Sequence, residues 1–174
     1  MNSIKNIVFL GMMGSGKTTI GKLVSKKLGK EFHDIDYEIE KKTKQTIKAI
    51  FEKKGEVFFR KLEEKITLSF LKKNDGLISL GGGAFLNKNI QKEILDNHLS
   101  VWLKWEEATL IKRIKNSKKR PVASKLNEDE LKKLIKDRSK VYSKAHIKIK
   151  CDKLTKQEII DKIIKFNEKL QIIN

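Results

Sequence analysis

Long apolar runs are missing from this sequence of 174 residues, and no stretch reaches the roughly 18 apolar residues of a membrane span. The single cysteine, Cys151, excludes an internal disulfide and is typical of a reducing compartment. Histidine and cysteine show no metal-ligand spacing, and residues 1–10 show no signal-peptide cleavage pattern. These features predict one cytoplasmic domain over residues 1–174, without a membrane partner.

Acidic residues are too few to balance the basic ones, and the formal net charge is +18. Such a charge can serve nucleic-acid binding, so a nucleic-acid-dependent ATPase is one alternative. The excess is mostly lysine, spread along the chain in pairs, and it forms no arginine-rich stripe with interleaved aromatic residues. This pattern favours a solvated surface, and we expect no nucleic-acid partner.

Short apolar segments alternate with segments of helical periodicity. Strands are predicted at 4–10, 31–34, 77–80, 100–103 and 147–150, and helices at 18–28, 35–73, 87–97, 106–115, 128–142 and 156–170. The long second helix is expected to break near Lys54 and Gly55. The alternation predicts an α/β fold with a mostly parallel sheet in one compact domain.

Residues 11–18 read Gly-Met-Met-Gly-Ser-Gly-Lys-Thr and match the phosphate-loop pattern G-x-x-x-x-G-K-[ST]. Glycines let backbone N–H groups surround phosphate oxygens, and the following helix adds its positive end. Lys17 can reach the β- and γ-phosphates, and the Thr18 hydroxyl can ligate Mg²⁺. The predicted ATP contacts of this segment are Gly14, Ser15, Gly16, Lys17, Thr18 and Thr19.

Asp34 and Asp36 follow the second predicted strand, at the edge where parallel sheets bind ligands. One carboxylate can hold Mg²⁺ through water, and the other can take the proton of an acceptor hydroxyl. The alternative is structural, because Asp36 can instead cap the next helix.

Arg60, Glu63 and Glu64 share one face of a predicted helix. They form either an exposed ion pair or a carboxylate grip in which Glu63 fixes the fork of Arg60. Arginine is scarce in this lysine-rich chain. The few positions that carry it are therefore candidates for bidentate hydrogen bonding by the planar guanidinium group.

Three consecutive glycines, Gly81, Gly82 and Gly83, end the third predicted strand. Their clustering indicates a close approach between backbone and ligand, although a flexible turn is the alternative.

Residues 117–126 form a polar connection that contains the only proline, Pro121. A lid carrying Arg120 can close here over a transferring phosphate, although an ordinary helix connection would look the same. Arg113, on the helix before, can stack on a nucleobase, and Arg138, on the helix after, can grip a carboxylate. Each of these arginines can equally be an exposed surface charge.

Taken together and in this order, the motifs resemble the shikimate kinase family from Ile7 to about Lys162. The matching pieces after the phosphate loop are Asp34-x-Asp36, Phe59-Arg60-x-x-Glu63-Glu64, Leu80-Gly81-Gly82-Gly83-Ala84, Arg120-Pro121-Val122 and Arg138-x-x-x-Tyr142. Val122 departs from the leucine that is common there, which is a conservative change.

The resemblance implies a three-layer P-loop kinase fold with a central five-stranded parallel sheet flanked by helices. It also implies an acceptor-binding helical region at about 35–62. The implied reaction transfers the γ-phosphoryl of ATP to the 3-hydroxyl of shikimate, on the route to chorismate and aromatic amino acids. The implied enzyme is a cytoplasmic monomer with ATP and shikimate as partners and Mg²⁺ as cofactor. Another kinase of this fold, such as one acting on gluconate or a nucleoside monophosphate, is the nearest alternative.

Residue roles also follow from the resemblance. It assigns shikimate to Asp36, Arg60, Glu63, Gly81, Gly82, Gly83 and Arg138. It assigns Mg²⁺ to Thr18 and, through water, to Asp34, and it places Arg120 on the ATP phosphates and Arg113 near the adenine. Lys17, Asp36 and Arg120 are the expected catalytic residues.

Overall fold

The computed structural model describes residues 5–73, 75–116 and 126–173, with side chains as far as residue 169. Five strands form one sheet in the order β2-β3-β1-β4-β5, and every neighbouring pair is parallel. The strands are β1 (Ile7–Leu10), β2 (Phe32–Asp34), β3 (Leu77–Ser79), β4 (Leu99–Lys104) and β5 (Ile147–Lys150). The predicted five-stranded parallel sheet is confirmed.

Helices cover both faces of this sheet. They are α1 (Lys17–Leu28), α2 (Ile35–Thr43), α3 (Ile47–Leu71), α4 (Lys88–Asn97), α5 (Glu107–Lys115), α6 (Glu128–Tyr142) and α7 (Lys156–Ile173). In β1, Val8 and Leu10 join the core cluster beneath α2 to α6, whereas Ile7 and Phe9 join the cluster beneath α1 and α7. Because successive side chains of a strand point to opposite faces, this alternation produces three layers. Among the described helices, none is long and apolar enough to cross a membrane.

The central strand β1 positions the rest of the site. All four of its residues are buried, and it pairs with β3 on one side and β4 on the other. Since all strands run the same way, the segments after β1, β2, β3 and β4 emerge at one edge of the sheet. The phosphate loop, the two aspartates and the triple glycine therefore meet there.

The region predicted as one helix over 35–73 contains a break that the periodicity did not indicate. Lys44 ends α2 in the left-handed conformation, with φ 53°, and the Thr46 side chain starts α3 by accepting a hydrogen bond from Ala49 N at 3.2 Å. The predicted break near Gly55 is confirmed as a kink inside α3, with φ 77° and ψ 171°. Capping by a threonine is a local polar contact, which a pattern of apolar residues does not reveal.

Replacing Gly55 with alanine is expected to lower the free energy of unfolding by about 1–3 kcal/mol, because its φ and ψ lie where essentially only glycine is found. A Cβ atom at this position would meet no heavy atom within 4 Å, so the cost arises from the backbone alone. Urea unfolding measures the change, with Lys53→Ala, at an exposed position of the same helix, as the control. An unchanged or higher stability would mean that α3 straightens without penalty.

Candidate active site

The phosphate loop joins β1 to α1 in a conformation that depends on glycine. Gly14 and Gly16 have φ of 83° and 88°, and Gly16 is the residue that precedes α1. The buried Lys17 donates from Nζ to the carbonyl oxygens of Gly11 at 2.9 Å and Met12 at 3.0 Å. No acidic residue occupies the first turn of α1, so its positive end is left for an anion.

Thr18 and Asp34 lie together at the end of this loop. The Thr18 hydroxyl donates to Asp34 Oδ2 at 2.6 Å, although the two residues belong to different elements. Two adjacent oxygen ligands fit Mg²⁺, which keeps several waters and uses few protein carboxylates. Asp34 also caps α2, because its Oδ1 accepts from Tyr37 N at 3.4 Å. The alternative that Asp36 caps this helix is therefore wrong, since the preceding aspartate does so.

The triple-glycine turn after β3 lies directly against acidic side chains. A Cβ atom at position 81 would lie 2.6 Å from Asp36 Oδ1 and 2.8 Å from Glu63 Oε1. Real Cβ atoms essentially never lie this close to another atom, so a side chain at position 81 would force these carboxylates to move away from the turn.

The other two glycines of the turn lie against arginines. A Cβ atom at position 83 would lie 2.6 Å from Arg60 Nη1, and one at position 82 would lie 3.2 Å from Arg138 Nη1. The turn thus brings two arginines and two carboxylates together around bare backbone, and the alternative of a merely flexible turn does not describe it.

Arg60 is held from two sides by carboxylates of α3. Its Nη1 donates to Glu63 Oε2 at 2.7 Å, while Nε and Nη2 donate to Glu56 Oε1 at 3.2 Å. Glu63 is only 2% exposed, whereas Arg60 is partly exposed and Glu56 is exposed, so the Arg60–Glu63 pair has one buried partner and is not a fully exposed ion pair. Burial raises the pKa of Glu63, and the nearby Arg60 and Arg138 oppose that rise.

Glu64 faces away from this cluster. Its carboxylate accepts from Asn87 Nδ2 at 2.9 Å and from Asn89 Nδ2 at 2.6 Å, at the start of α4. Although Glu64 is adjacent to Glu63 in the sequence, its role is different, because it connects α3 to the start of α4.

Asp36 is a partly buried carboxylate among other negative charges. Burial raises its pKa from 3.8 to about 6, and the charges of Asp34 and Glu63 add to the rise while Lys17 opposes it. A carboxyl group with this pKa is mostly ionised at neutral pH and binds a proton more readily than an ordinary aspartate.

Arg138 and Tyr142 extend from α6 toward the same turn. The buried Tyr142 hydroxyl donates to the Gly82 carbonyl, and burial raises the pKa of this tyrosine to about 12. Arg138 Nη1 lies 3.9 Å from Met12 Sδ, and its buried Nε has no hydrogen-bond partner among the described residues. A partly buried guanidinium with an unpaired donor suits an anionic ligand such as a carboxylate.

Arg113 lies on the other side of the phosphate loop. Its guanidinium carbon is 3.6 Å from the centroid of the Trp105 ring, and its Nη1 donates to the Gly14 carbonyl at 3.4 Å. The indole Nε1 of Trp105 donates to the Ser15 carbonyl at 2.8 Å. The sequence assigned Trp105 no role, although its place just after β4, at the ligand edge of a parallel sheet, was an available signal.

The structure says less about two further predicted ATP contacts, Thr19 and Arg120. Thr19 is exposed in the first turn of α1, beside Thr18. Arg120 and most of the predicted lid fall within residues 117–125, which lie outside the described residues. The ligand contacts of all the predicted site residues stay predictions.

The fold and the site define a P-loop small-molecule kinase, since a buried strand runs into a phosphate loop and the side chains predicted to bind an acceptor converge beside it. The family model described as shikimate kinase matches residues 13–168. The chain therefore belongs to the shikimate kinase family, as its sequence motifs predicted, and it is a kinase that uses ATP.

Individual proteins agree with this assignment. A shikimate kinase from Bacillus licheniformis is 41% identical over 165 residues, covering 92% of each chain. The structure of an Acinetobacter baumannii shikimate kinase in complex with shikimate superposes with a TM-score of 0.87 at 32% identity, covering 95% of this chain and 93% of that one. The shikimate kinase of Aquifex aeolicus gives 0.82 at 34% identity, with coverages of 96% and 98%.

Replacing Asp36 with asparagine is expected to stabilise the fold near neutral pH. The folded state binds the Asp36 proton more tightly than the unfolded chain, so the stability that this proton contributes is complete below pH 3.8 and is lost as pH rises through about 6. An uncharged asparagine avoids that loss, and the free energy of unfolding at neutral pH should rise by about 1–3 kcal/mol.

Thermal and urea unfolding would measure this gain, which should shrink toward acidic pH. The control is Asp137→Asn on the exposed side of α6, where a change of less than about 0.5 kcal/mol is expected. A loss of stability in Asp36→Asn would contradict the interpretation that this charge destabilises the fold.

Proposed function

We propose that this protein transfers the γ-phosphoryl of ATP to the 3-hydroxyl of shikimate, giving shikimate 3-phosphate and ADP on the route to chorismate. One observation carries the proposal: Arg60, Arg138 and Asp36 converge on a triple-glycine turn beside the phosphate loop of a shikimate kinase family member. A ring acid with hydroxyl groups needs this combination of cations and carboxylate.

The carboxylate of the acceptor is proposed to bind between Arg60 and Arg138. Both guanidinium groups lie against the same turn, and paired arginines recognise carboxylates by charge-assisted hydrogen bonds. Glu63 fixes Arg60 at 2.7 Å and limits the repulsion between the two cations. Gly81, Gly82 and Gly83 let the charged side chains approach the backbone of the turn, because a Cβ atom at each position would crowd one of them.

Asp36 is proposed to orient the acceptor hydroxyl and take its proton. As the hydroxyl oxygen forms its bond to the γ-phosphorus, the proton passes to Asp36 and the bond to the leaving ADP oxygen breaks. The pKa of about 6 keeps this carboxylate largely ionised at neutral pH while making it a better base than an ordinary aspartate.

Lys17 is proposed to exchange its bonds to the Gly11 and Met12 carbonyls for phosphate oxygens when ATP binds. Its charge then offsets the negative charge that develops on the transferring group. Arg120 is proposed to add a second positive charge from the lid at about 117–126, which would also exclude water.

Mg²⁺ is proposed to bind at the Thr18 hydroxyl and, through water, at Asp34, whose oxygens are 2.6 Å apart. When bound, the ion neutralises charge on the nucleotide phosphates. The Thr18 hydroxyl could keep donating its hydrogen to Asp34 while a lone pair of its oxygen faces the ion, so the hydrogen bond would orient this ligand.

The enzyme is further proposed to act as a cytoplasmic monomer with ATP and shikimate as its partners. All of the site residues above come from one chain, which makes a partner subunit unnecessary for this chemistry. Residues 1–174 would form a single domain, with the acceptor region at about 35–62 and no nucleic-acid contact.

ADP release from Mg-ATP by the purified protein, measured with and without shikimate in a coupled assay, tests the reaction. We expect a large rate that requires shikimate and is absent with gluconate, nucleoside monophosphates or DNA. A rate stimulated by nucleic acid and weakened by salt would instead support a nucleic-acid-dependent ATPase.

Arg60→Ala and Arg138→Ala are each expected to raise the KM for shikimate by about 10- to 100-fold, because each removes a charged hydrogen-bond donor to the carboxylate. The KM for ATP should change little, since neither guanidinium is proposed to contact the nucleotide. Initial rates at varied concentrations of each substrate separate the two effects. Lys61→Ala, which removes an exposed cation from the same helix, is the control. Equal increases in both KM values would count against the carboxylate clamp.

A further inference from the structure

Trp105 is the first aromatic residue after β4 and connects two parts of the nucleotide side of the site. Its indole N–H donates to the Ser15 carbonyl of the phosphate loop at 2.8 Å. Ser15 is itself buried, at 1% exposure, and its backbone N–H donates to Met12 O at 3.1 Å within the loop. The indole bond therefore reaches the inside of the loop, where the backbone conformation decides which N–H groups face phosphate.

Apolar side chains hold the indole ring of Trp105 in place. Trp105 is partly buried and packs against both core clusters, the one beneath α2 to α6 and the one beneath α1 and α7. A ring with two apolar supports has a fixed orientation, so its N–H group is a rigid donor toward the loop.

The same ring carries Arg113 on its face. The guanidinium carbon lies 3.6 Å from the ring centroid, well inside the range of a cation–π contact. Arg113 is otherwise exposed, and within the described part of the chain its one hydrogen bond is the long one of 3.4 Å to the Gly14 carbonyl. The indole thus holds a flat cation next to the phosphate loop, where the rest of a bound nucleotide would extend.

We propose that Trp105 is a positioning residue of the nucleotide site, which fixes the phosphate loop through Ser15 and holds Arg113 as a flat platform for the nucleotide. This role rests on the proposed use of ATP and adds a residue that acts through two others without touching the reacting atoms. It predicts that changes at Trp105 weaken nucleotide binding and leave acceptor binding intact.

Tryptophan fluorescence offers a test without any acceptor, because the chain has only two tryptophans and Trp102 is 4% exposed within β4. Titrating the protein with Mg-ADP should change the emission, since a nucleotide bound on the Arg113 guanidinium excludes water from the surroundings of the Trp105 ring. The change should persist in Trp102→Phe and disappear in Trp105→Phe. A saturating amount of ADP that leaves the emission unchanged in an enzyme that turns over would overturn the proposal.

Kinetics supply the second test. Trp105→Phe keeps an aromatic ring but loses the N–H group, and it should raise the KM for ATP about fivefold, as the loss of one hydrogen bond predicts. Trp105→Leu also loses the cation–π platform and should raise it about 30-fold. The KM for shikimate should stay the same in both variants, which a general loss of packing would not produce.

The coupling between the two side chains is measured by adding Arg113→Ala. If they act as one unit, Trp105→Leu should raise the KM for ATP less in the Arg113→Ala background than in the unmodified protein. Additive effects, or equal increases in the KM values of ATP and shikimate, would overturn the proposal. If Trp105→Leu fails to fold, the KM for ATP of Trp105→Phe and the fluorescence titration with Mg-ADP still test the proposal.

The outcome is separable from that of the proposed reaction. An ADP-dependent change in Trp105 emission without shikimate-dependent ADP release would support the role of Trp105 and contradict shikimate as the acceptor. A normal shikimate-dependent rate with an unaltered KM for ATP in both Trp105 variants would support the reaction and contradict the role of Trp105.

Discussion

The site depends on charge balance around a turn that has no side chains. Two carboxylates, Asp36 and Glu63, and two arginines, Arg60 and Arg138, approach the backbone of residues 81–83 so closely that a Cβ atom would lie between 2.6 and 3.2 Å from one of their atoms. Charges removed from water are tolerated only when they are paired, so each group is necessary to the others. The 2.7 Å bond between Arg60 and Glu63 completes one such pair, whereas the buried Nε of Arg138 finds no hydrogen-bond partner in the described part of the chain.

This balance connects stability to function. The raised pKa of Asp36 comes from burial near Asp34 and Glu63, an arrangement that disfavours the ionised carboxylate in the folded protein. The same arrangement makes the carboxylate a stronger base, which suits proton transfer from a hydroxyl group. The cost to stability and the benefit to chemistry have one physical origin, as is common where active sites concentrate like charges.

The sequence was informative where a motif fixes backbone geometry. The glycines of the phosphate loop, the kink at Gly55 and the five strands were all predicted, because conformational freedom and apolar runs are local properties of the chain. Prediction failed where a local polar contact decides the outcome. The break after Lys44 follows from capping by Thr46, and the helix cap at Asp34 was assigned to its neighbour Asp36 as an alternative.

The sequence by itself determined the fold class, the phosphate loop and the family, because these follow from residue types at short, fixed spacings. Every one of the four arginines in this lysine-rich chain was singled out as a candidate. Only the tertiary structure decided which neighbours act together. Glu63 points toward the site and accepts a hydrogen bond from Arg60, while the adjacent Glu64 accepts hydrogen bonds from Asn87 and Asn89. The pairing of Trp105 with Ser15 joins residues 90 positions apart, and contacts across such distances depend on the packing of the whole sheet.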